Sequence, residues 1–262
     1  MTRAALLIPL LAIAGTARAQ GTSPICTDRP TKANAVCTVP PGTFQLETSA
    51  IGWTLTEAGG SRSELLTLGS SVAKVSISDR SDLQIGFTPF AELTSKGAGA
   101  SDRVSGSGDI LVRYKHRVTR EGAPVQVAAI PFVKLPTAAA GLGNNKVEAG
   151  LAIPISFALA GSVTMTLGPE VDLLANVDGS GRHLAMVTLV NLSIPVAPRW
   201  TLIGELWTNF NFDPGGTVEQ ASADAAVAYG VSNNLQLDIG ANVGLTADTP
   251  DLELYAGLSF KL

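Results

Sequence analysis

Two histidines, two cysteines and 5% aromatic residues are all that 262 residues offer of the side chains that most often ligate metals or do chemistry. The sequence holds no G-x-S-x-G, no H-E-x-x-H and no P-loop. GLGNNK (141–146) has two glycines and a lysine but lacks the Walker spacing, and it reads as a loop. GSGRH (179–183) sets Ser180 near His183 with no orienting acid in the segment, while His116 is placed to face lipid. The chain is read as a non-enzyme, with no cofactor and no metal. Charged residues are only 15% of the chain, with no basic stripe or recognition helix, so nucleic acid is excluded as a partner. A membrane-spanning helix is missing too. The longest uncharged stretch beyond the N-terminus, 150–169, contains Pro154, is interrupted by AGS at 160–162, and alternates with period two on each side.

The N-terminus does carry a signal. MTRAALLIPLLAIAGTARAQ has a basic start at Arg3, an apolar run from Ala4 to Gly15, and Ala17-Arg18-Ala19 before Gln20, the pattern of a secretory signal peptide over 1–19. Removing Arg3 and Arg18 leaves 16 basic residues against 22 acidic ones in an exported chain. Cys26 and Cys37 then lie close together before the first strand. In an oxidising compartment they read as a disulfide; a metal site is the alternative, and it would need further ligands that neither His116 nor His183 supplies from nearby.

From residue 43 onward the pattern is strand after strand. Period-two alternation predicts twelve, near 43–56, 63–78, 82–94, 108–119, 124–135, 146–158, 162–176, 183–196, 199–212, 217–231, 234–247 and 251–262. The connections alternate between short turns (SDRS, REGA, AGS, APR, SNN) and longer, Gly-rich links, chiefly 56–62, 95–108 and 137–145. An even number of antiparallel strands with short and long connections in turn is the signature of an all-β transmembrane antiparallel barrel in a bacterial outer membrane. Twelve strands put both chain termini on the periplasmic side. The expected organisation is a signal peptide (1–19), a short periplasmic N-terminal segment (20–42) and a barrel over 43–262. A soluble two-sheet sandwich also alternates, and the topology is what separates the two.

The last stretch, DLELYAGLSFKL (251–262), alternates to the final residue. Chain ends usually fray, but a barrel closes only if its last strand pairs with its first. The ending resembles the terminal strand signature of outer-membrane proteins, with Leu262 in place of the usual final aromatic and Phe260 two residues before it. That resemblance implies the barrel-insertion machinery as a partner, alongside outer-membrane lipids. The aromatic girdle is thin: Trp200 at one end of strand 9, Phe210 and Phe212 at the other, and Tyr114 and His116 on strand 4.

Longer segments resemble a known family. CTDRPTKANAVCTVPPGTFQLETS (26–49), SDRSDLQIGFTPF (78–90), GSGDILVRYKHR (106–117) and AIPFVKLPT (129–137) are similar to the bacterial outer-membrane transporter family named for a MetA pathway of phenol degradation. The resemblance implies a barrel that passes small molecules, often aromatic or hydrophobic. It carries no binding residues with it.

The alternation itself nominates the residues lining the pore. Arg113 and Lys115 on strand 4 and Lys134 on strand 5 point inward, as do Glu170 and Asp172 on strand 7, Glu205 and Trp207 on strand 9, Asp224 on strand 10, Asp238 on strand 11 and Tyr255 on strand 12. In a twelve-membered ring the basic wall opposes an acidic one, and a field of that kind favours dipolar or zwitterionic solutes. Alternatively the charges pair across the lumen and fill it. The expected function is an outer-membrane channel for passive passage of small molecules; the alternative is a closed structural or adhesive barrel acting through its external loops.

Overall fold

The computed structural model describes residues 24–97 and 99–262; the expected signal peptide and its cleavage site lie outside them. The described chain is all β. Sixteen strand segments form twelve staves: β1 (Phe44–Ala58); β2 (Ser61–Ser78); β3 with β4 (Ser81–Phe87, Phe90–Gly97); β5 with β6 (Ala100–Gly106, Ile110–Arg117); β7 (Val125–Leu135); β8 with β9 (Glu148–Ala152, Ile155–Ala158); β10 with β11 (Thr164–Leu167, Glu170–Ala175); β12 (Arg182–Ala197); β13 (Trp200–Asn211); β14 (Val218–Ser232); β15 (Leu235–Gly244); and β16 (Leu252–Lys261). Every pairing is antiparallel between neighbours. β16 closes the ring on β1, from Gln45 opposite Lys261 to Leu55 opposite Leu252, with one shift of register between Ser49 and Ile51. Phe44 and Leu262 exchange backbone hydrogen bonds of 3.1 and 2.8 Å, so the ladder runs to the last residue. Closure gives the last strand a partner in place of an open edge in lipid, which is why the sequence alternates to its end.

The two faces follow the pattern. On β12, His183, Ala185, Val187, Leu189 and Asn191 are buried toward the interior while Leu184, Met186 and Val190 are exposed on the outside. The same exterior carries Ile51, Ile85, Leu206, Ile239 and Leu254, an apolar surface of the kind that a bilayer covers. The Trp200 and Tyr229 rings pack 4.6 Å apart, tilted by 40°, at the end of the barrel where the short turns lie, and Phe210 and Phe212 are exposed near the opposite, loop end.

Two expectations need correction. Residues 95–108 are not a loop. β4 runs to Gly97 and β5 starts at Ala100, and the four segments β1, β2, β4 and β5 continue as one ladder past the apolar band. No apolar face is needed there because water lies on both sides. Charge pairs take its place: Arg62 bridges Glu57 across the strand pair (2.8 Å) and Glu64 on its own strand (2.9 Å), and Arg103 lies 3.4 Å from Glu92 on the neighbouring strand. Staves 6 and 7, expected as continuous strands, each break once, at Ile153-Pro154 and Gly168-Pro169. Proline has no N–H for the ladder. The two breaks face each other, with Ile153 N–H donating to Pro169 O at 2.9 Å.

Candidate functional site

The lumen is not bare. Residues 26–39 of the N-terminal segment, read from the sequence as lying outside the barrel, turn into its interior and bond to inward-facing side chains around most of the ring. The reason is charge complementarity. The segment carries an acid followed at once by a base, Asp28-Arg29, with Lys32 beyond. Each is matched to the wall that it meets.

Toward staves 1 to 4, the Asp28 carboxylate accepts from Lys74 Nζ (2.6 Å) and Lys115 Nζ (2.7 Å). Lys74 also pairs with Glu47, whose carboxylate accepts the backbone N–H groups of Asp28 and Arg29 at 3.0 and 3.1 Å. Lys115 donates a second bond to Ala35 O (2.8 Å), and Val39 N–H donates to Asp82 (3.0 Å). Gln45 Nε2 donates to Cys26 O (2.6 Å). Lys74, Lys115, Glu47 and Asp82 are 1–2% exposed, so these charges are withdrawn from water and depend on one another. Burial alone would raise the Asp28 carboxyl. The ammonium groups of Lys115 and Lys74 outweigh that and hold it far below the usual carboxylate range.

Toward staves 8 to 12 the signs reverse. Arg29 bridges Asp238, Lys32 Nζ donates to Asp224 (2.7 Å) and Ser222 (3.1 Å), and the Glu205 carboxylate accepts the backbone N–H groups of Lys32 and Ala33, both at 3.0 Å. Asn191 donates to Thr31 and to Glu205, each at 2.9 Å. The Lys32 ammonium lies 5.2 Å from the Trp207 ring centre, and the Arg29 guanidinium 5.9 Å from that of Tyr255. Arg29 can lie so close because position 257 is glycine: a Cβ there would collide with its guanidinium and with Thr48 O. Cys26 and Cys37 form a disulfide with Cα atoms 6.2 Å apart, drawing the two ends of the segment together.

Among the described residues, the segment makes no hydrogen bond to an inward side chain of staves 5, 6 or 7. A cavity of about 350 Å³ opens on that side, bounded by Lys32 and Asn34 of the segment and by Pro154, Glu170, Asp172, Leu189 and Trp207 of the wall. Two more spaces, about 250 and 380 Å³, flank the segment near Tyr255 and Arg113. Gly150 matters to the wall here, because Phe132 and Asp172 both pack over it where a Cβ would stand.

The expected pore-lining residues thus separate into three groups. Lys115, Glu205, Asp224 and Asp238 bind the segment, with Trp207 and Tyr255 beside its cations. Arg113 bonds to Asn34. Lys134 stands apart, between Asp109 (3.2 Å) and Glu148 (2.9 Å) toward the loop end. Glu170 and Asp172 form no ion pair among the described residues. The two walls therefore neutralise the segment rather than each other, and the acidic wall is two separate groups. Sequence reasoning missed Glu47, Lys74, Asp82 and Asn191 as well as the segment itself. The available signal was the inward register of Gln45, Glu47 and Lys74 on strands that were already assigned.

His183 is also placed differently than GSGRH suggested. An acid does stand beside it: Nδ1 is 2.9 Å from Asn176 Oδ1 and 3.4 Å from Asp213 Oδ2. Asp213 is engaged by the backbone N–H groups of Val177 (2.8 Å) and Gly215 (2.6 Å), and the Ser180 hydroxyl donates to Asp178. The group ties two loops together.

A family model described as "Putative MetA-pathway of phenol degradation" matches residues 27–262. Among solved structures, an outer membrane channel from Pseudomonas putida F1 is similar at 16% identity and TM-score 0.69, over 89% of this chain and 100% of that one. The NanC porin is similar at 9% identity and TM-score 0.54, over 84% and 100%. The translocator domain of the autotransporter NalP from Neisseria meningitidis follows at 11% and 0.54, over 84% and 88%. No curated protein matches the chain. These likenesses are to outer-membrane barrels and concern the fold.

Proposed function

We propose that this chain, which belongs to the MetA-pathway phenol-degradation family, is a passive outer-membrane channel for small solutes, aromatic and hydrophobic ones among them. The observation that carries the reading is the asymmetry of the lumen. Among the described residues, the N-terminal segment makes no hydrogen bond to the inward side chains of staves 5 to 7, and of the spaces around it the one of about 350 Å³ lies beside staves 6 to 9. Solutes pass between the segment and that wall, and the segment sets the bore. Both termini and the short turns face the periplasm, the loops face outward, and the C-terminal strand is the part that the insertion machinery engages. Recording single channels of the refolded mature protein in a planar bilayer tests this, with and without simple aromatic solutes. Discrete steps that such solutes interrupt are expected. Arg113→Glu, which changes a charge beside the passage, shifts the reversal potential toward cations. A silent bilayer from protein with heat-modifiable gel mobility would turn the reading to a closed barrel acting through its loops.

A further inference from the structure

The cavity beside staves 6 to 9 has an unusual wall for the inside of an outer-membrane barrel, which is ordinarily polar. Ala152, Pro154, Val187 and Leu189 all point inward there and are buried, and the Trp207 indole borders the same space. Set into this apolar surface are two carboxylates, Glu170 and Asp172, two residues apart on β11 and so on one face. Among the described residues, no lysine or arginine forms an ion pair with either. Lys32 bridges Asp224, and Lys134 bridges Glu148 and Asp109; Arg113 bonds to the neutral Asn34 amide, and its charge is felt at Glu170 without forming an ion pair. The wall also has acceptors that lack donors. Asp172 Oδ1 and Asn209 Oδ1 are both buried with no hydrogen-bond partner. Asn209, which lines the same cavity, spends its N–H donor on Gln220 (3.1 Å). Proline breaks at 154 and 169 open the ladder at this level, where Gly168 lets Leu189 lie flat against the wall.

An apolar slot with an aromatic rim and two carboxylates without ion pairs lacks one kind of group: a cation that donates hydrogen bonds and carries an apolar body. We propose that this cavity is a subsite for small amphipathic ammonium ions, such as arylalkylamines. The ammonium is held between Glu170 and Asp172, and the ring lies against Trp207, Val187 and Leu189. The subsite deepens the channel reading, since it gives the passage a preferred solute class, and it rests on that reading only for its role in transport. The cavity volume of about 350 Å³ suits a ligand of this size.

The test uses the full mature chain refolded in detergent, with 2-phenylethylammonium as probe and 2-phenylethanol as its uncharged counterpart. Binding is followed by tryptophan fluorescence and calorimetry, and passage by single-channel recording. The ammonium should bind at least tenfold tighter than the alcohol. Glu170→Gln with Asp172→Asn should remove that preference and leave alcohol binding unchanged. Equal binding of the two probes by the unaltered protein would overturn the subsite whatever the variant does, so a variant that fails to fold does not shelter the proposal. Ammonium binding unchanged in a folded double variant would overturn it too. Steps in the bilayer without an ammonium preference would refute the subsite and keep the channel. The preference without steps would keep the subsite and refute the channel.

Discussion

On staves 1 to 4, two lysines that water barely reaches meet Asp28 and Glu47, and every charge of the cluster has a partner. On stave 7, Glu170 and Asp172 stand in an apolar wall and form no ion pair among the described residues. The two regions belong to one lumen and lie at opposite flanks of one segment. The difference between them indicates which charges of the interior are already satisfied and which are not. A buried cluster that satisfies itself has nothing left to offer a solute, and opening it would expose charges to a low-dielectric wall. Unpaired carboxylates beside a cavity have their interactions still to make. The segment thus divides the lumen into a flank sealed in its charges, with a space of about 380 Å³ adjoining it, and an available one.

Breaking the sealed flank should have the largest effect. Asp28→Leu leaves Lys115 without its carboxylate and Lys74 with only Glu47. Removing one partner of a buried pair costs about 3–5 kcal/mol, enough to release the segment. The expected result is a several-fold larger single-channel conductance and a lower temperature for the heat-modifiable gel shift. Conductance unchanged from the unaltered protein would show that the segment does not set the bore. Acid should act on the same residue more gradually. Asp28 is held well below the value of a free aspartate, about 3.9, so its contribution is present above that pH and declines as pH falls below it. Docking of the segment is therefore expected to weaken below about pH 4. Conductance recorded during acid titration reads this, and the rise should be missing in Asp28→Asn.

Next comes the disulfide. Closing a loop of this length limits the freedom of the released segment by about 3 kcal/mol in the chain-entropy model. Cys26→Ser with Cys37→Ser should leave the barrel folded but make conductance flicker, as the segment undocks and returns. Steady currents identical to those of the oxidised protein would mean that the bonds to the wall suffice alone. On the opposite side of the segment, Glu205→Gln keeps one acceptor for two backbone N–H groups. The unmet donor costs about 1–3 kcal/mol, and the change in open-channel noise should be smaller than for Asp28→Leu.

Much of this was legible from residues alone. Period two fixed the twelve staves and the inward register of Arg113, Lys115, Glu205, Asp224 and Asp238, because a strand in lipid must alternate. What stayed hidden was what those residues meet. Asp28, Arg29 and Lys32 lie on a segment with no period, and nothing local tells whether such a segment stays outside or enters the ring. The signal is relational: its acid precedes its bases in the order in which the basic and acidic walls are reached. The 95–108 region was misread for the opposite reason. There the alternation is between polar residues, and a strand with water on both faces has no hydrophobic period to betray it. The unpaired acid on stave 7 also needed the three-dimensional partners, since the inward register of Lys134 does not tell that it meets Asp109 and Glu148 rather than Glu170.

The smallest effect is expected outside the lumen, on the ladder that β1, β2, β4 and β5 extend past the apolar band. Arg62 there bridges Glu57 and Glu64 with its side chain 43% exposed. An exposed ion pair is screened by water and salt and contributes little. Arg62→Ala should therefore change neither the temperature of the gel shift nor the conductance, which would mark the extension as independent of the segment and of the wall. A marked loss of conductance in this variant would mean that the extension bears on the lumen. The division into a sealed and an available flank would then have to include the loop end as well.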